Sequence, residues 1–106
     1  MSTTPKAPQV HDDFVARYPK LDQAWDLIRQ AGTEGPLDDR TQRLVKLGIA
    51  LGAMREGSIG SSVRKARAAG ISRDEIEQVV ALAAGTLGLP STVAVFSWVR
   101  DKLDKR

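Results

Sequence analysis

The sequence predicts an all-α fold, a single-domain helical bundle. Three observations lead there. Apolar residues recur three and four apart along most of the chain, the spacing of one helical face. Helix start and stop signals bracket those stretches. Strand signals are nearly absent: only residues 93–96 (VAVF) look β-like, and they sit inside a longer helical pattern. A length of 106 residues suits one domain, and 42% hydrophobic with 27% charged residues is an ordinary globular mixture.

The elements follow in order. Residues 1–9, rich in Ser, Thr, Pro and Lys at their start, are expected to form a disordered tail, and residues 10–106 the helical domain. A first helix over about residues 10–18 sets Phe14, Val15 and Tyr18 on one side and ends at Pro19. A second covers about residues 21–30, with Leu21, Ala24, Trp25 and Ile28 at i, i+3, i+4 and i+7, and residues 32–36 break it. Asp38 or Asp39 caps the third, placing carboxylates at its positive end, and this helix is expected to run to about Glu56. Its Leu44, Leu47, Gly48, Leu51 and Met54 make one stripe, with Val45, Ile49 and Gly52 beside it. Gly48 and Gly52 each cost about 1 kcal/mol of helix propensity, which is best explained by another backbone passing close by.

Ser58 or a neighbour starts a fourth helix over about residues 59–69, stopped at Gly70. Ser72-Arg73-Asp74-Glu75 has the S-x-x-E form of a capping box. The fifth helix that it opens carries Ile76, Val79, Val80, Leu82, Ala83 and Leu87, and is closed by Gly88-Leu89-Pro90. Ser91 or a neighbour starts the sixth, with Val95, Phe96, Trp98, Val99 and Leu103. Trp25 and Trp98 read as core anchors.

Two of these helices lack a solvent face. Residues 47–54 carry no charge on any side, and the fifth helix turns wholly apolar after Gln78. A lone bundle of this length has too little material to surround both, so the excess apolar surface calls for another subunit. A homo-oligomer is the simplest solution, because identical chains pair identical surfaces.

Composition excludes several classes of chemistry. The chain has no cysteine, hence no disulfide, thiol nucleophile or cysteine metal site. One histidine and no clustered carboxylates leave nothing with ligand spacing, so no metal or other cofactor is expected, and no phosphate loop is present. No run is apolar enough for a membrane span and the start has no hydrophobic leader, so a cytoplasmic protein without membrane contact is expected. Sixteen cations against thirteen anions give a net charge of +3 and a pI near 9.6, a weak case for nucleic acid. Residues 64–80 have the outline of a helix-turn-helix, but the second helix would present Asp74, Glu75 and Glu77, which repel phosphate.

The candidate site lies in the polar stretch that begins at Arg55. Glu56, at a break between helices, is the candidate general acid or base, or else one half of an ion pair with Arg55, Arg64 or a neighbour's arginine. Serine nucleophilicity needs a base within hydrogen-bond reach, and the only histidine is His11, near the chain start. Ser58 therefore reads as a helix cap, and Ser61 and Ser62 as small packing residues.

Three stretches, YPKLDQAWDLIRQAG, GPLDDRTQRLVKLGIALGAMREG and VRKARAAGISRDEIEQVVALAAGTLGLPSTVAVFSWV, together resemble the carboxymuconolactone decarboxylase family, which also contains the alkyl hydroperoxidase D-like proteins. The resemblance runs from about Phe14 to Asp101. It implies an all-α fold with a central helical hairpin, assembled as trimers, hexamers or related rings. The family's redox branch carries C-x-x-C-x-x-x-H in the polar break. By the resemblance those positions fall on Arg55, Ser58 and Ser62, and a further histidine of some short relatives falls near Gly60. None of these groups is present, and a serine hydroxyl cannot cycle through sulfenic acid and disulfide, so thiol peroxidase chemistry is excluded. What the resemblance leaves is an oligomeric, non-redox protein with a small-ligand pocket, in which Arg55, Ser58, Ser62 and Arg64 bind a small organic acid. Arg43 is a further cation able to hold a carboxylate. The alternatives are a decarboxylase-like or lactone-processing enzyme with Glu56 as acid–base group, and a helix-turn-helix DNA-binding module.

Overall fold

The structure is a computed structural model that describes residues 7–105. Every element among them is an α-helix: α1 (Ala7–Arg17), α2 (Pro19–Thr33), α3 (Asp39–Ala53), α4 (Glu56–Ala68), α5 (Arg73–Leu87) and α6 (Leu89–Asp104). The chain divides into two compact units, one up to Pro36 and one from Leu37 onward.

The first unit is the α1/α2 pair. Of the expected tail, residues 7–9 are already helical, while residues 1–6 lie outside the described residues. Pro19 does not only end α1. It opens α2, where its fixed φ and missing N–H suit the first turn. α2 runs on to Thr33 before Gly35 takes φ 145°. Trp25, expected as a core anchor, is 54% exposed, and no residue of α2 is buried.

The second unit holds the core. α3 packs on α4 and α5, and α6 packs on the same two helices, so α3–α6 form a four-helix bundle of two consecutive hairpins. Leu47 and Leu51 of α3, Ile59, Val63 and Ala66 of α4, Ile71, Ile76 and Val80 at and on α5, and Val95 and Val99 of α6 are buried together. Each buried Leu, Ile or Val side chain among them stabilises the fold by about 1.5–3 kcal/mol. Trp98 and Phe96 pack against this cluster half-buried, in line with Trp98 as an anchor.

The local signals act largely as the sequence suggests. The Asp38 carboxylate accepts from the Thr41 N–H at 2.7 Å, and hydrogen bonding by Thr41 holds its carboxyl below the usual range. Ser72 and Glu75 form the reciprocal capping box at 3.1 and 2.9 Å. Gly70, at φ 85°, turns the chain between α4 and α5. α6 starts two residues earlier than expected, at Leu89, with Pro90 in its first turn.

The break between α3 and α4 differs from the expectation. α3 stops at Ala53, not near Glu56, because Met54 takes the left-handed conformation at φ 55° and its N–H closes on the Leu51 carbonyl at 3.1 Å. Arg55 is extended, and Glu56 is the first residue of α4. Ser58 therefore lies inside the helix and caps nothing: the N-cap position belongs to Arg55, whose side chain makes no capping hydrogen bond. The carboxylate of Glu56 in the first turn faces the positive end of the helix instead.

Candidate functional site

All five residues singled out for a site lie at the start of α4 or along it, but on different faces. Arg55 precedes the helix, and Glu56, Ser58, Ser62 and Arg64 follow within it. At 3.6 residues per turn, Ser58 and Ser62 stack on one face, below Arg55. Glu56, two residues before Ser58, points away from that face, and Arg64, two after Ser62, does too. Arg55, Glu56, Ser58 and Arg64 are exposed and Ser62 is half-buried. Glu56 makes no ion pair or side-chain hydrogen bond among the described residues, so neither Arg55 nor Arg64 is its partner. His11 is exposed on α1, 3.5 Å from the carboxylate of Asp12 beside it.

An apolar concavity lies elsewhere, between α3 and α5. A groove of about 540 Å³ is walled by Leu44, Val45, Val79, Leu82 and Leu87, with Gly48 and Gly52 along α3. Close passage of another backbone does not explain these glycines within the chain. A methyl at Gly48 would meet only Val79 Cγ1, at 4.0 Å, and one at Gly52 would meet nothing within 4 Å. Their missing side chains leave the groove open. Leu82 on its wall is 71% exposed, and Ile49 of α3, outside the groove, is 67% exposed.

Ion pairs tie the ends of the bundle. Arg40 of α3 donates to Glu75 of α5, and Arg73 joins Glu77 at 2.9 Å and Asp104 of α6 at 2.8 Å. Arg40 and the capping hydrogen bonds of Ser72 hold the Glu75 carboxyl down at about 2. These contacts occupy much of the charge on the first turns of α5, the helix that a helix-turn-helix would offer to DNA. Periodicity could not show them, since Arg40 and Glu75 are 35 residues apart.

A second concavity, of about 450 Å³, opens between α4 and α6 and is lined by Val63, Arg64, Arg67, Lys102, Leu103 and Lys105. Here one of the predicted site residues, Arg64, meets cations from a distant part of the chain. The signal available in the sequence was the basic cluster Arg64-Lys65-Ala66-Arg67, but nothing there indicated that the end of α6 would face it.

Among the described residues, no cluster of three or more His, Asp or Glu side chains stands in an arrangement that could hold a metal ion. No helix is long and apolar enough to cross a membrane among them.

Comparison with curated proteins and with solved structures returns no match. The model of the carboxymuconolactone decarboxylase family matches residues 19–101, from the first residue of α2 to within the last turn of α6. The match covers both helical hairpins of the bundle and the polar break between α3 and α4. On that span, the chain belongs to the carboxymuconolactone decarboxylase family.

Proposed function

We propose that this chain is a non-redox member of its family that assembles with copies of itself through the α3/α5 face and binds a small organic acid on α4. The observation that carries the reading is the open apolar face: a 540 Å³ groove with Leu82 exposed on its wall and Ile49 exposed outside it. Such a face, without charge along the glycine-bearing side of α3, is costly in water and suits a partner of the same character. A second copy supplies one with no further gene product, and a ring of three or six copies fits the family.

The ligand part rests on the chemistry of α4. Arg55 and Arg64 are exposed guanidinium groups on different faces, each able to grip a carboxylate with two parallel hydrogen bonds, and Ser58 and Ser62 add hydroxyls on the side of Arg55. With no cysteine in the chain, peroxide reduction through a thiol has no starting group. Glu56 is exposed and without a partner among the described residues, so its use as an acid–base group has no supporting contact within the chain.

Light scattering coupled to size exclusion tests the assembly. At micromolar concentration the chain should elute at three or six times the mass of 11.5 kDa, and Leu82→Asp should shift it towards one. A wild-type chain that is folded and monomeric at that concentration would refute the assembly. For the ligand, small carboxylic acids should raise the melting temperature in proportion to the logarithm of their concentration. A flat response across a panel of such acids would remove the pocket from the reading.

A further inference from the structure

The concavity between α4 and α6 concentrates positive charge. Its lining contains four cations, Arg64, Arg67, Lys102 and Lys105, and no carboxylate. The whole chain carries a net charge of only +3, so four cations around one hollow are a marked local concentration. Of the four, only Lys105 has an acidic partner, Asp101 at 3.1 Å, and the neighbouring Asp104 is engaged by Arg73 at 2.8 Å. Arg64, Arg67 and Lys102 make no ion pair among the described residues.

Two of the cations are held in place. Arg67 donates through Nη1 to the carbonyl of Ile71 at 3.3 Å, which fixes its guanidinium at the end of α4. Lys102 is half-buried, and its stem lies across Gly60 of α4. A methyl at Gly60 would come within 2.6 Å of Lys102 Cε, so the glycine makes the channel in which the lysine lies. Like charges held around one hollow repel each other, and a bound anion would relieve that repulsion. Cations also complement the negative ends of helices, and α4 and α6 both end nearby. That role needs cations in the last turns alone. It explains neither Arg64, a full turn before the end of α4, nor the channel at Gly60.

We propose that this concavity is the binding site of a small organic polycarboxylate. Two guanidinium forks and the Lys102 ammonium take separate carboxylates, and Val63 and Leu103 form the apolar wall against which a carbon skeleton rests. About 450 Å³ is the size of a small-molecule site and far more than one inorganic ion fills. A compact hollow between two helices also fits a small molecule better than the extended basic stripe that nucleic acid requires. The inference deepens the ligand part of the proposed function: it moves the centre of that site from Ser58 and Ser62 to Arg64 and its neighbours, and it does not depend on self-association.

Isothermal titration calorimetry of the full chain with citrate as the probe, at fixed ionic strength, tests it. Saturable binding at one citrate per chain is expected. Arg64→Gln and Lys102→Gln should each weaken it about tenfold or more, the effect of one charge-assisted contact. Gly60→Ala should weaken it as well, without removing any charge, by displacing Lys102. Arg100→Gln removes an α6 cation that sits over the Phe96 ring instead of in the hollow, and should leave the affinity unchanged. Absence of saturable heat would overturn the proposal, as would equal weakening by Arg100→Gln, which would indicate bulk charge only. Sulfate matching citrate at the same ionic strength would overturn the polycarboxylate class. A DNA duplex that binds more tightly, with steep salt dependence and loss in Arg64→Gln, would assign the patch to nucleic acid. Citrate binding lost in Arg55→Gln but kept in Arg64→Gln would leave the acid-binding reading standing and refute this location.

Discussion

Gly48 offers a substitution with opposite consequences for the single chain and for the proposed assembly. It lies in the middle of α3, and within the chain a methyl group there meets only Val79 Cγ1, at an ordinary contact distance of 4.0 Å. Nothing has to move. Gly48→Ala should therefore stabilise the isolated chain by about 1 kcal/mol, the helix-propensity difference between the two residues. For a chain of this size that is a rise of about 4–8 °C in melting temperature. In the proposed assembly the same methyl, on the floor of the groove, would meet the partner. Overpacking a fitted contact costs about 1–3 kcal/mol, or roughly a fivefold to hundredfold weakening of association. Urea denaturation followed by circular dichroism, at a dilution where the chain is monomeric, reads the first effect. Sedimentation velocity across a concentration series reads the second. A Gly48→Ala chain that associates as tightly as wild type would show that no partner approaches Gly48. A loss of stability in the monomer would refute the open space seen beside α3.

Three further outcomes are expected. Leu51→Ala removes a fully buried side chain from the centre of the α3–α6 core and should destabilise by about 2–5 kcal/mol in chemical denaturation; a change below 1 kcal/mol would mean that the core is packed differently. Ser72→Ala deletes half of the capping box of α5 and should cost about 1 kcal/mol, seen also as faster amide exchange at Glu75, whose N–H loses its partner. Acid should act through Glu75: its folded value of about 2 lies below the ordinary 4.5, so the stability it contributes is present above about 4.5 and is lost as pH falls towards 2. Glu75→Gln should flatten the acid limb of the stability profile over that window, and an unchanged limb would remove the Arg40–Glu75 pair from it.

Much of the fold was legible because its causes are local. The i, i+3, i+7 spacing of Leu44, Leu47 and Leu51 defines the buried face of α3, and Ser72 with Glu75 fixes the start of α5 by contacts three residues apart. Gly70 needs only its own φ to mark the turn. The apolar excess of α3 and α5 was likewise legible as a pattern, and Ile49 and Leu82 stand exposed where it is located. The misplaced boundaries are those without a strong local code. Met54 carries no sequence signal for a left-handed residue, so the helical pattern runs three residues past the end of α3 and makes Ser58 look like a cap. Pro19 was ambiguous between stop and start, because a proline serves either.

The sequence by itself therefore determined the helices, their capped ends, the absence of thiol chemistry and the apolar surplus on α3 and α5, since each depends on residue type and on neighbours within a turn or two. Only the tertiary structure decided which surfaces meet. It placed Arg64 and Arg67 opposite Lys102 and Lys105, laid Lys102 over Gly60, paired Arg40 with Glu75, and left Glu56 in solvent without a partner among the described residues. The physical reason is distance along the chain: packing brings together groups some 35 to 40 residues apart, and no local periodicity specifies which helix end will face which.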